Sequence, residues 1–135
     1  MMKFIGRSET ISFLDLNINS IKSKIDTGAF GTSIHVDGLE IVDDKLHFWI
    51  GDIKNSFIFD KFKTVMVKNS FGEQQKRYSV FTKIKIGKSK YKILVSLSNR
   101  SSMRYPVLIG RRFLHKFGYV VDVTKKNIYD RDKKM

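Results

Sequence analysis

The chain of 135 residues contains no cysteine and a single proline. The first absence excludes disulfides and thiolate zinc sites outright. It also fits a reducing compartment, so a cytoplasmic location is expected. With one proline, nine glycines and no Ser/Gly-rich run, nothing reads as an interdomain linker. The length implies one domain over residues 1–135, large enough to bury a core without staples. Long apolar runs are missing as well. The first residues, Met1-Met2-Lys3-Phe4-Ile5-Gly6-Arg7, read as neither a signal peptide nor a membrane span. Acids are scarce: 13 Asp and Glu face 26 Lys and Arg, a net charge of +13. A surface this basic attracts polyanions such as nucleic acid, an anionic membrane face or an acidic peptide. On charge alone nucleic acid comes first.

What is present is a series of short alternating segments. Thr10 to Leu16 reads as a strand with Ile11 and Phe13 on one face, and Ser20 to Asp26 as another. Thr32 to Val42 is broken near Asp37-Gly38, and Lys45 to Ile50 sets Leu46, Phe48 and Ile50 on one side. Ser56 to Asp60 and Lys63 to Lys68 follow. Arg77 to Ile86 alternates most clearly, with Tyr78, Val80, Ile84 and Ile86 inward and Lys83 and Lys85 toward water. Gly87-Lys88-Ser89 is a hairpin signal, and Tyr91, Ile93, Val95 and Leu97 continue the period. Pro106 to Gly110 reads as an apolar strand buried on both faces, and Arg111 to Lys116 as the one substantial helix. Gly118 to Val123 and Asn127 to Tyr129 read as closing strands, and the charged tail from Asp130 to Met135 as frayed. Many short strands at regular spacing predict an all-β, closed or sandwiched fold.

One segment breaks this pattern chemically. The basic and apolar run before it ends in Lys24-Ile25-Asp26-Thr27-Gly28-Ala29. A carboxylate at the end of a buried strand is costly unless hydrogen-bonded or paired. Gly28 and Ala29 leave room for close approach by a ligand or another backbone. Asp and Gly also serve in ordinary Asx turns that end strands, so the tetrapeptide is compatible with catalysis or with a plain turn.

Asp-Thr-Gly-Ala after an apolar strand resembles the catalytic turn of aspartic proteases. Leu108-Ile109-Gly110-Arg111-Arg112-Phe113-Leu114 resembles the apolar-Gly strand and short helix of the retropepsin-like proteases, and Asn69 to Gln74 their flap turn. The blocks Ile5 to Glu9, Lys24 to Ala29, Thr32 to His35, Lys76 to Tyr78 and Leu97 to Arg111 are similar to the RimB-like branch of small bacterial retropepsin-like proteins. That branch was once labelled an ATP-dependent zinc protease and is associated with RimK-type glutamate ligases. The resemblance implies a retropepsin-like closed β-barrel or sandwich with one short C-terminal helix. It implies catalysis by Asp26, with Thr27 holding the turn across a homodimer and Gly28 offering backbone to substrate. Ser70, Phe71 and Gly72 would tip the flap, while Ala29, His35, Arg77, Arg100 and Arg104 would bind substrate. Arg111 would anchor the dimer through an ion pair. Phe30-Gly31 departs from the family, which has a more polar residue after the alanine.

No metal or cofactor is expected. The three histidines, His35, His47 and His115, lack His-Glu-x-x-His spacing, and no Gly-rich phosphate loop appears. His35 lies near the turn, as a cleft residue or a hydrogen-bonded structural one. The cations around the motifs suit an acidic, glutamate-rich peptide, or are a solvated surface. The competing reading is a non-catalytic basic barrel that binds nucleic acid or another polyanion, with Phe57, Phe59, Phe62 and Phe71 as stacking platforms. The same alternation assigns most of these rings to the core.

Overall fold

In a computed structural model the apolar-polar alternation is answered by strands: β1 (Lys3–Gly6), β2 (Ser8–Phe13), β3 (Ile18–Ile25), β4 (Thr32–His35), β5 (Gly38–Val42), β6 (Lys45–Trp49), β7 (Ser56–Phe59), β8 (Lys63–Lys68), β9 (Gln74–Ile86), β10 (Ser89–Ser98), β11 (Val107–Ile109) and β12 (Tyr119–Asp122). One helix, α1 (Arg111–Lys116), precedes the last strand. The structure describes residues 2–68, 71–100 and 102–129. Asn69 and Ser70 of the expected flap turn, Ser101, and the tail from Asp130 to Met135 lie outside the described residues.

Six strands close a barrel in the order β10-β4-β11-β3-β2-β9, and β9 returns to β10. The expected all-β barrel with a short C-terminal helix is therefore the fold. Among the described residues β8 pairs with β9 alone and extends the sheet as an arm. The inward row of β9 and β10 puts Val80, Ile84, Ile86, Val95 and Leu97 in the core, each such burial contributing about 1.5–3 kcal/mol over exposure. A separate sheet of β5, β6 and β7 packs Phe57 and Phe59 against Phe48, with ring centroids 5.3 and 5.6 Å away. Phe57, Phe59 and Phe62 thus pack on the core, whereas Phe71 is 88% exposed.

β11 carries the site. It lies between β3 and β4, parallel to β3 with Ile109 opposite Ile25. Gly110 and Asp26 are consequently the next positions along two adjacent parallel strands. Val107 and Ile109 are fully buried. Leu108, expected to be covered, is only partly so, because alternation turns it to the face opposite the core residues Val107 and Ile109. α1 docks through buried Phe113 and Leu114. Tyr91 holds it edge-on to Phe113 at 5.2 Å, and the Tyr91 and Tyr119 hydroxyls are 2.6 Å apart.

Two expected strands end differently. The strand expected over Thr10 to Leu16 stops at Phe13, and Leu14–Leu16 forms a 3-10 turn that Asn17 closes in a left-handed conformation, φ 53°. Ile128 and Tyr129 are not in a strand. Their N–H groups donate instead to the Glu9 carboxylate, both at 3.2 Å, and Gly6 N–H adds a third bond at 2.8 Å. Glu9 is fully buried, and these donors offset its desolvation. Among the described residues no helix is long and apolar enough to cross a membrane.

Candidate active site

Asp26 leaves β3 with its backbone N–H on Ile109 O at 2.9 Å. Its Oδ1 accepts the Gly28 N–H at 2.9 Å, and its own carbonyl accepts the Ala29 N–H at 3.2 Å. The Asx turn is therefore formed, and it is what holds the carboxylate. A side chain on Gly28 would begin 3.2 Å from Asp26 Oδ1, so the missing Cβ lets the amide approach. Asp26 is half-buried, while Thr27 and Gly28 are exposed. The turn is thus at the surface, with its carboxylate partly covered.

The start of α1 clamps the rest of the loop. Arg111 and Arg112 N–H groups donate to Ala29 O at 2.8 Å and Phe30 O at 3.0 Å. Gly110 N–H donates to Thr32 Oγ1 at 3.3 Å. Arg111 Nη1 reaches Gly28 O at 3.1 Å. Arg111, expected in an ion pair across a dimer, here bonds a carbonyl of its own chain. Phe30 is 59% exposed and carries the Arg111 and Arg112 guanidinium groups 5.4 and 5.8 Å from its ring centroid. Hydrophobic patterning offered no warning of this ring, one of several large apolar side chains that the described residues leave exposed.

The expected substrate-binding residues separate into two groups. His35 is committed to the fold. Its Nδ1 accepts the Arg100 N–H at 2.8 Å, so the proton sits on Nε2, which donates to Asp37 Oδ1 at 2.9 Å. Gly51 N–H bonds the other Asp37 oxygen. These contacts, Gly51 first and His35 second, hold the Asp37 carboxyl below its ordinary value. Arg100 is engaged within the chain in the same way. Its Nε donates to Tyr105 O at 3.3 Å and its Nη1 to Ser33 Oγ at 3.4 Å, so the guanidinium braces its own loop. Ala29 contributes backbone to the clamp just described. Arg104 and Arg77 are exposed. Arg104 lies over the Tyr105 ring at 5.7 Å, and Arg77 stands opposite Val65 on the β8–β9 arm. That arm leads to Phe71 and to Gly72, whose φ of 80° favours glycine. Among the described residues no group of three or more His, Asp or Glu side chains is placed to hold a metal ion.

The sequence profile of one family, the RimB-like family of the retropepsin-like aspartic endopeptidase RimB, matches residues 4–132. A protein of Desulfotalea psychrophila named "Probable alpha-L-glutamate ligase" is 30% identical over 119 residues, 81% of this chain and 26% of that one. A Shewanella pealeana protein of the same name is 32% identical over 117 residues, 79% of this chain and 26% of the other. The chain thus spans about a quarter of the length of these relatives. The crystal structure of a Legionella pneumophila protein of unknown function matches with a TM-score of 0.75 at 27% identity, over 94% of this chain and 98% of that one.

Proposed function

We propose, because this chain belongs to the RimB-like family of retropepsin-like aspartic endopeptidases, that it is an aspartic-type peptidase acting as a homodimer on acidic, glutamate-rich protein tails in the cytoplasm. The observation that carries this reading is the Asp26 turn. A carboxylate is held at its Oδ1 by Gly28 N–H, at a half-buried position, on a loop clamped from below by α1. Asp-Thr-Gly occurs once in the chain, and the chemistry needs two carboxylates. A two-fold axis supplies the second, since an isologous contact brings the same residue from each copy together. Two carboxyl groups about 3 Å apart cannot both ionise. The ionised one takes a proton from water, and the neutral one donates a hydrogen bond to the scissile carbonyl. The β8–β9 arm closes over the peptide and excludes water.

The acidic substrate is a reading supported by the net charge of +13 and by relatives named "Probable alpha-L-glutamate ligase". A second reading has its own observation. Phe30 and Phe81 are exposed rings that carry cations, Lys63 standing 5.4 Å over Phe81, and aromatic rings beside positive charge bind single-stranded nucleic acid.

The test is hydrolysis of a glutamate-rich peptide by the full chain, followed by mass spectrometry, with association state measured by sedimentation. Asp26→Asn should keep the fold and lower turnover by about 10²–10⁴-fold, and a chelator should change nothing. Near-normal turnover by a folded Asp26→Asn protein ends the aspartic mechanism. Salt-sensitive oligonucleotide binding without hydrolysis would favour the second reading.

A further inference from the structure

Beside the catalytic loop, on the outside of the barrel, lies a cavity of about 240 Å³. Its floor comes from the outward faces of β9 and β10. Phe81 and Leu94 are cross-strand partners, opposite in direction to the core residues Val80 and Val95. The walls are Phe117 and the exposed Phe30. Three cations, Lys92, Arg112 and Lys116, stand at the rim, and no acid lines it. Arg112 and Lys116 are one helical turn apart, and like charges at this spacing repel. A short helix that keeps such a pair on the cavity side is better satisfied with anions beside it.

We propose that this cavity is an exosite that anchors one bulky apolar side chain of an acidic peptide, with the neighbouring carboxylates held by Lys92, Arg112 and Lys116. The volume falls below the roughly 300–1,000 Å³ of pockets that enclose a whole drug-sized ligand. It suits one side chain, with the rest of the peptide at the charged rim. An apolar floor under a cationic rim complements a segment in which an aromatic or large aliphatic residue is flanked by Glu or Asp. The cavity begins at Phe30 and Gly31, a few residues beyond Asp26, so a peptide anchored there can continue toward the catalytic turn. The inference rests on the reading of the substrate as an acidic peptide, but binding at the exosite does not require cleavage.

The experiment measures fluorescence anisotropy of two labelled peptides, Glu-Glu-Phe-Glu-Glu and Glu-Glu-Ala-Glu-Glu, on the full chain carrying Asp26→Asn. The phenylalanine peptide should bind about ten-fold tighter. Leu94→Glu places a charge in the floor and should erase that preference. Lys116→Glu, at an exposed position, should shrink it several-fold and keeps the test decisive if Leu94→Glu does not fold. Equal binding of the two peptides, or a preference that survives both substitutions, overturns the exosite. Displacement of the phenylalanine peptide by a short single-stranded oligonucleotide at similar concentration also overturns it, giving the rings to bases. The wild-type chain assayed for cleavage separates the two readings. Anchored binding without cleavage ends the peptidase and leaves the exosite, and cleavage without a phenylalanine preference does the reverse.

Discussion

The Arg111 guanidinium donates to the Gly28 carbonyl at 3.1 Å, joining positions 83 apart in the chain. Gly28 is thereby pinned at both ends, since its N–H already meets Asp26 Oδ1. The helix that follows β11 therefore helps to orient the Asp26 turn, and it reaches Asp26 through Gly28 rather than directly. Removing the guanidinium should leave the fold intact, because the bond is exposed, but should loosen the turn. A hydrogen bond from a charged donor contributes roughly 1.5–3 kcal/mol, and exposure puts this one at the low end. On the proposed peptidase reading, Arg111→Ala should lower kcat about ten-fold with little change in KM. Arg111→Lys should recover only part, since an ammonium lacks the fork. Unchanged kcat in Arg111→Ala would separate the bond from catalysis.

Gly110 illustrates a requirement of space rather than conformation. Its φ of −90° is open to any residue. A Cβ there would nevertheless sit 2.7 Å from Phe30 O and from the Gly31 carbonyl carbon. Backbone cannot rotate away as a side chain can, so Gly110→Ala should cost about 2–3 kcal/mol, near the upper range for overpacking. Gly31→Ala is the control, with nothing within 4 Å of its added Cβ. Urea midpoints of both variants decide the point. Equal losses would mean that the loop, not the contact, is what alanine disturbs.

The parts of the molecule legible in advance were those written in short-range order. Alternation placed Val80, Ile84, Val95 and Leu97 in the core, and the Asp26 turn closes between residues two apart. What stayed hidden depends on contacts across the chain. Arg100 reads as a substrate-binding cation, and nothing local to it reveals that Ser33, 67 positions away, accepts a bond from its guanidinium. Residues 127–129 look like a strand because nothing local reveals that Glu9, 119 positions from Ile128, takes that amide. Period two reports which face a residue is on, and it carries no information about which distant partner will be there.

Asp37 gives a prediction in pH. Its carboxyl is held below the ordinary value of 3.8, by Gly51 N–H first and His35 second. A depressed folded-state value means that ionised Asp37 favours the folded protein. That contribution is complete above about pH 4, the unfolded range for aspartate, and is lost as pH falls through the lower folded value. Asp37→Asn should be less stable than wild type at neutral pH, and the gap should narrow below about pH 4. Urea titrations across the acid range measure it. A gap that stays constant down to the most acid pH would assign the loss to shape rather than to charge.

Arg100 and Arg104 occupy one loop and should fail differently when removed. Arg100 braces Tyr105 O and Ser33 Oγ, and its backbone N–H fixes the His35 ring. Arg104 is exposed, with its guanidinium over Tyr105. If the substrate is acidic, Arg104 is the one able to meet an incoming carboxylate through a charge-assisted bond. Arg104→Ala should then reduce kcat/KM for a glutamate-rich peptide by about ten-fold and leave a neutral peptide nearly untouched. Arg100→Ala should reduce both by similar factors, because it loosens the loop rather than a substrate contact. Raised salt should weaken the Arg104 effect, since the Debye length is only about 8 Å at physiological ionic strength. The measurement is the ratio of kcat/KM for the two peptides in each variant, with association state checked independently. A ratio shifted by Arg100→Ala and not by Arg104→Ala would reverse the assignment. A ratio moved by neither would leave the basic loop without a role in choosing substrate.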